Sequence, residues 1–201
     1  MPDFAREAEK SRSAKVALRD QLLATRRSMP PEQRASAAAA IQAVLRDLVR
    51  TQSPTTIAGY LPVGAEPGGP DLPAALAGRL ILPVLLPDND LDWVLYEGPR
   101  SLRAGPRGLR EPAGPRLGVD AIATADLMVV PALAVDRTGL RMGRGGGSYD
   151  RALARATMTY TVALLHDGEL LPAVPAEPHD RRVHAAITPG EGLSETSDWT
   201  K

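Results

Sequence analysis

Cysteine is absent from this chain of 201 residues, which excludes disulfides and thiolate chemistry and leaves cysteine usage silent on redox compartment. Net charge is also missing, since 24 Lys+Arg stand against 24 Asp+Glu. No global field therefore draws the chain to nucleic acid or to an anionic membrane, and any anion site has to be local. Lysine is nearly absent, occurring only as Lys10, Lys15 and Lys201, and with abundant Ala, Gly and Pro this points to a GC-rich coding bias. Aromatics make up 3%, so the core must be built from Leu, Val, Ala and Ile. No apolar run approaches the length of a membrane span, and the opening MPDFAREAEKSRSAK lacks the apolar centre of a signal peptide. The expectation is a cytoplasmic protein with neither a membrane nor a nucleic acid as partner.

What is present concentrates between Val130 and Arg151, VPALAVDRTGLRMGRGGGSYDR. An apolar run, Leu127 to Val130, is followed by Asp136, a turn at Gly139, Arg141 and Arg144, and glycines at 143, 145, 146 and 147, before a helix starting near Ser148. Glycines let successive backbone N–H groups turn toward one centre, arginines add fixed positive charge, and a helix start adds its partial positive end. A flexible surface loop with ordinary basic residues would carry the same composition. The order strand, glycine-arginine loop, helix instead favours a cradle for a polyanion. It is not a Walker A loop, because no Gly-Lys-Ser/Thr closes it, and it lacks the dinucleotide-binding spacing.

The decapeptide Arg141-Met142-Gly143-Arg144-Gly145-Gly146-Gly147-Ser148-Tyr149-Asp150 closely resembles the signature of the 5-formyltetrahydrofolate cyclo-ligase family, also called methenyltetrahydrofolate synthetases. The resemblance runs from Lys15 to about Thr188. Lys15-Val16-Ala17-Leu18-Arg19 is similar to the family's K-x-x-L-R, in which lysine and arginine contact ATP phosphates; read alone, Lys15 and Arg19 are a basic pair on one helical face, solvated as such pairs usually are. Glu66 stands where the family places a glutamate that binds the pterin end of folate. A carboxylate suits that purpose because it accepts paired hydrogen bonds from amino and ring N–H groups, although an acid after a strand is more commonly a turn residue or helix cap. Gly108 to Pro112 is similar to the family's G-x-x-E-P and implies that Glu111 anchors the backbone of a folate-channel wall. Leu171-Pro172 through Pro178-His179-Asp180 resembles a stretched L-P-x-x-x-H-D. By that resemblance Asp150 and Asp180 hold the Mg²⁺ that accompanies ATP, a pairing that suits a hard cation keeping waters and phosphate oxygens. Without it, Asp150 is a favourably placed acid at a helix start and Asp180 a turn residue. Two positions depart from the family: Val135 replaces a phenylalanine, and Ser148 the first of two tyrosines, whose ring Tyr60 is a candidate to replace.

Along the chain, residues 1–12 are polar and expected to fray. A helix is expected from Ser13 through Arg26, with Val16, Leu18, Leu22 and Leu23 as its apolar spacing, and a second started by Pro30-Pro31-Glu32 and running to about Arg50, with Ile41, Val44, Leu45 and Leu48 buried. Strands are expected at 55–60, 79–85, 91–96, 126–131, 159–165 and 183–188, and a short helix at 71–77. Pro87 to Asp90 is turn chemistry and makes the second and third strands a hairpin. Residues 97–119 lack periodicity and read as a functional or mobile loop. Trp93 and Tyr96 fit core and rim better than ligand stacking, and His166 fits a strand end. One domain spans 13–190, and the tail 191–201 is polar and loose.

Alternation of strand and helix argues an α/β fold, with ligands at the carboxyl ends of the strands. The resemblance implies a single-domain Rossmann-like three-layer α/β/α sandwich with a mostly parallel sheet. Glu66, Asp136, Arg141 and Arg144 all follow strands and are expected to converge. The implied reaction converts 5-formyltetrahydrofolate and ATP to 5,10-methenyltetrahydrofolate, ADP and phosphate. Its implied catalytic residues are Arg144, Lys15 and Tyr149. ATP is assigned to Lys15, Arg19, Arg141, Met142, Gly143, Arg144, Gly145, Gly146, Gly147, Ser148 and Tyr149; folate to Glu66, Tyr60, Arg144, Gly145, Gly146, Gly147 and Ser148; Mg²⁺ to Asp150 and Asp180. Two other readings compete. One is a non-catalytic folate- or nucleotide-binding paralogue. The other is an RNA-binding module at Arg144 to Gly147, which zero net charge and few aromatics oppose. A monomer is the expectation, although nothing in the sequence fixes the oligomeric state.

Overall fold

The computed structural model describes residues 2–178 and 180–197. Its elements are α1 (Pro2–Ser28), α2 (Pro31–Gln52), β1 (Thr56–Ala58), α3 (Leu72–Ala75), β2 (Arg79–Leu85), β3 (Leu91–Leu95), β4 (Leu102–Ala104), β5 (Arg110–Pro112), β6 (Leu127–Pro131), β7 (Ala134–Asp136), β8 (Arg141–Met142), α4 (Ser148–Arg155), β9 (Tyr160–Leu164), β10 (Leu170–Leu171), β11 (Ala185–Thr188) and β12 (Gly192–Glu195). The apolar run expected to be central is central: β6 is the middle strand of a seven-stranded sheet ordered β12-β11-β9-β6-β1-β2-β3. Its inner strands are parallel, and only the edge strands β3 and β12 run antiparallel to their neighbours.

A strand that is apolar at every position needs cover on both faces. Leu127 and Val129 pack with Ile41, Leu45 and Leu48 of α2 and with Leu72 and Leu76 around α3. Met128 and Val130 face the other way, toward Ala152 and Leu153 of α4 and Ile122 in the 3₁₀ segment Val119–Thr124. Helices on both faces of one sheet make the three-layer sandwich. Full burial of each large aliphatic chain in these layers contributes about 1.5–3 kcal/mol. The β2–β3 hairpin turns where expected, with Leu85 opposite Leu91 and Asn89 at φ 64. Trp93 is wholly buried on this hairpin, as a core aromatic.

Four features differ from the reading of the sequence. Helix α1 begins at Pro2 rather than Ser13, and its polar first half is held by tertiary contacts: Ser11 Oγ donates to Ala176 O at 2.8 Å and Arg12 Nε to Glu177 at 3.3 Å. Val16 does not join the apolar stripe of that helix but is 53% exposed. The stretch 97–119 contains a small hairpin, β4 with β5, whose short and largely exposed strands carry no alternation to detect. Within the expected loose tail, β12 pairs with β11 from Ala185↔Glu195 to Thr188↔Gly192, while residues 198–201 of that tail, like His179, lie outside the described residues.

The hairpin β7–β8, part of a second sheet ordered β10-β7-β8, comes between β6 and α4 along the chain. The glycine-arginine loop is therefore delivered by the β7–β8 hairpin and not directly by β6. Leu18, Leu22 and Leu23 of α1 pack on this unit against Leu133, Leu140 and Met142, which lays the Lys15 and Arg19 face of the helix along the loop.

Candidate active site

A cavity of about 990 Å³ opens beyond the carboxyl ends of β1, β2 and β6. The chain proceeds from β1 to β2 on one side of the sheet and returns to β6 on the other, so the cavity lies at the reversal of strand order where open α/β sheets place their ligands. Cationic side chains lining it outnumber acidic ones two to one, which makes a local positive site in a protein of zero net charge. All the residues assigned from the sequence to ATP, folate or Mg²⁺ line this one cavity.

Its floor is the segment Gly143 to Gly147 between β8 and α4. Gly145 has φ 96 and Gly147 φ 69, conformations that L side chains avoid, and a Cβ on Gly145 would also touch the Arg19 guanidinium at 3.4 Å. Gly147 takes the N-cap place of α4 in the left-handed region, so the helix opens at Ser148 without a side-chain cap and its first N–H groups remain for a ligand. Arg19 Nε donates to Gly143 O at 3.1 Å and ties α1 to the loop.

Charges around the cradle are paired with one another. Lys15 is buried, its Nζ 2.5 Å from Asp180 and 2.9 Å from Glu177. Arg141 is buried beneath the loop; Nη2 donates to Asp150 Oδ1 at 2.8 Å and Nη1 to Pro131 O at 3.2 Å. The guanidinium carbon of Arg141 sits 6.0 Å from the centre of the Tyr149 ring. Met142 turns its side chain into the core under α1, leaving backbone to face the cavity. Asp150 and Asp180 each face a cation, and among the described residues no group of three or more His, Asp or Glu is disposed around a metal position.

Glu66 lies across from the loop. Its Oε2 accepts from Val63 N–H at 2.9 Å, and its Oε1 faces Arg144 Nη1 at 3.6 Å. Burial, with the Glu66 carboxylate nearby, pushes the Tyr149 hydroxyl far above its ordinary pKa and does the same to Tyr60, so both stay protonated donors. Tyr60, a candidate ring for the folate, lines the wall but is almost fully buried, and its hydroxyl donates to Pro67 O at 2.9 Å. Glu111 Oε1 accepts from Leu85 N–H at 2.8 Å, a backbone anchor on the wall made by β4 and β5.

Asp136 does not converge with the others. Its Oδ1 accepts from Thr138 N–H, Thr138 Oγ1 and Leu140 N–H, and its Oδ2 from Val174 N–H, so it organises the β7–β8 turn and does not line this cavity. Arg26 and Glu177 are among the lining residues to which the sequence reading gave no role, as are Arg12, Arg151 and Arg181. For Arg26 a signal existed: Lys15, Arg19 and Arg26 recur at helical spacing on one face of α1.

The comparisons agree with this geometry. A sequence profile of the 5-formyltetrahydrofolate cyclo-ligase family matches residues 11–189. The chain is 42% identical over 189 residues to the 5-formyltetrahydrofolate cyclo-ligase of Mycolicibacterium smegmatis, covering 90% of this chain and 96% of that one. The solution structure of the Aquifex aeolicus 5,10-methenyltetrahydrofolate synthetase superposes with a TM-score of 0.79 at 26% identity, over 93% of this chain and 95% of the other. A 5,10-methenyltetrahydrofolate synthetase from Mycoplasma pneumoniae shares the fold with a TM-score of 0.68 at 20% identity, over 86% and 96% of the two chains. With most of its length inside the family profile and a close relative along nearly all of it, this chain belongs to the 5-formyltetrahydrofolate cyclo-ligase family and is a ligase.

Proposed function

We propose that the protein cyclises 5-formyltetrahydrofolate to 5,10-methenyltetrahydrofolate by transferring the γ-phosphoryl group of ATP to the formyl oxygen. One observation carries this reading: the glycine-arginine cradle and Glu66 open onto the same cavity, so a triphosphate on one side and a pterin on the other meet within it. A formamide carbon is a poor electrophile and its oxygen a poor leaving group. Forming the O–P bond, with ADP departing, corrects both. The N10 lone pair then attacks the formyl carbon, N10 gives up its proton, and the C–O bond breaks to release phosphate. No side-chain nucleophile is required, in keeping with a chain that has no cysteine.

Positioning and charge neutralisation are then the main contributions of the protein. Lys15, Arg19 and Arg141 balance the phosphate charge; the backbone from Met142 to Ser148 cradles the phosphates. Arg144, the most exposed cation of the group, neutralises charge on the transferred phosphoryl group. Glu66 accepts hydrogen bonds from the pterin, and Tyr149, held protonated, donates to the folate. Lys15, catalytic in this reading, must exchange Asp180 for phosphate as nucleotide enters. Asp150 and Asp180 suit Mg²⁺, because that ion uses one or two carboxylates and takes its remaining ligands from phosphate and water. Bound there, Mg²⁺ would neutralise charge on the phosphates. The working unit in this reading is a monomer, acting in the cytoplasm where ATP is supplied.

The test is turnover of purified protein with 5-formyltetrahydrofolate and Mg-ATP, following methenyl-folate absorbance together with ADP. Both products in equal amounts are expected. If neither forms, the enzymatic reading falls; ligand-dependent stabilisation without turnover would then mark a non-catalytic binder.

A further inference from the structure

Glu66 sits on a loop whose backbone is fastened on both sides by buried side chains that follow from no sequence motif. On one side Tyr60 donates its hydroxyl to Pro67 O at 2.9 Å. On the other, His166 Nε2 lies 3.0 Å from Ala65 O. A carbonyl oxygen only accepts, so Nε2 carries a hydrogen and donates it. The residue between the two fastened carbonyls is Glu66.

His166 is itself held. Its backbone N–H donates to Glu169 Oε2 at 2.7 Å, and Glu169 N–H returns a bond to His166 O at 3.2 Å. The Glu169 carboxylate is gripped side-on by Arg26, Nε to Oε1 and Nη2 to Oε2, both at 2.7 Å, and Arg26 Nη2 also donates to Ala132 O at 2.6 Å. The two side chains are 4% and 5% exposed, so this pair cannot relax into water. A continuous buried chain of polar contacts thus runs from the last turn of α1, through the end of β6 and the loop before β10, to the backbone beside Glu66.

We infer that His166, fixed by the Arg26–Glu169 pair, is a positioning residue for folate: it sets where the Glu66 carboxylate stands, without touching the substrate. The inference rests on the reading that Glu66 binds the pterin. Lys15, Arg19 and the glycine loop are held by other bonds, so the nucleotide side does not depend on His166. Its removal moves one ligand's affinity and not the other's, which general loosening of the fold would not do.

Steady-state kinetics with each substrate varied in turn separates the possibilities. Glu66→Gln tests the underlying reading: KM for 5-formyltetrahydrofolate is expected to rise about tenfold, as loss of one paired hydrogen bond predicts. An unchanged KM there removes Glu66 as the folate residue, and the inference with it. If that KM rises, His166→Leu is expected to raise KM for the folate by a similar factor while KM for ATP stays within about twofold. The double variant should then be no worse than Glu66→Gln alone, because both act through one carboxylate. His166→Gln, which keeps an N–H at the reach of Nε2, should restore the native KM. A native folate KM in His166→Leu, an equal rise for both substrates, or a tenfold rise in His166→Gln would each overturn the proposal. The glutamine variant decides the matter should His166→Leu fail to fold.

Discussion

Two arginine–glutamate pairs stand beside the same cavity, the first reaching it only through Arg26, and serve different ends. Arg26 and Glu169 meet at 2.7 Å with side chains 4% and 5% exposed, while Arg144 and Glu66 stand 3.6 Å apart with 59% and 12% exposed. The first pair has each charge satisfied by a partner that never leaves, plus further bonds to backbone. The second is loose and wet on its cationic side, so a ligand can replace either partner at little cost. Identical side-chain chemistry is thus a fastening at one place and a binding group at the other, and burial decides which.

The largest way to break this contrast is Arg144→Ala. Charge on a transferring phosphoryl group depends heavily on such a cation, so kcat is expected to fall by about a thousandfold or more, with the melting temperature of the free protein unchanged. Near-native turnover would contradict the role. Glu169→Ala should do the opposite: leaving Arg26 buried and unpaired costs about 3–5 kcal/mol, read from urea or thermal unfolding, whatever the effect on rate. A variant as stable as the native protein would show that the pair is not a fastening.

A smaller effect is expected at Asp90, which lies between these extremes. Hydrogen bonds from Arg155 hold its carboxyl below the usual carboxylate range. Because the folded value is depressed, Asp90 contributes stability at neutral pH, and that contribution is lost as pH falls through the folded value. Asp90→Asn should therefore lower the melting temperature at neutral pH and converge with the native protein in acid; a constant offset at all pH values would refute the ion-pair account. The smallest effect belongs to Arg50, whose pair with Asp47 is 74% and 75% exposed: Arg50→Ala should change stability by less than about 0.5 kcal/mol.

Legibility in the sequence followed how local each signal was. The β6 run, the β2–β3 hairpin and the glycine-arginine loop each declare themselves within one short stretch of chain, and each stands where the sequence put it. By contrast, β12 and the first half of α1 are polar and owe their order to distant partners, β11 and the segment around Ala176 and Glu177. Asp136 and Glu66 look alike in sequence, each an acid shortly after a strand. Only the Thr138 and Val174 contacts turn the first into a turn anchor, while Glu66 is left facing the cavity. The Arg26–Glu169 pair joins residues 143 positions apart and no motif marks it. The assignments of ligand to residue came from resemblance, and the shared cavity is what makes them spatially compatible.

The central claim is that a triphosphate docks against Gly143 to Gly147 with Lys15 and Arg19 on its flank. A crystal structure with a non-hydrolysable ATP analogue and Mg²⁺ tests it directly. The phosphates are expected within hydrogen-bond distance of the loop N–H groups, with the Lys15 ammonium moved from Asp180 onto phosphate. A triphosphate bound elsewhere, with Lys15 still on Asp180 and Glu177, would contradict the account.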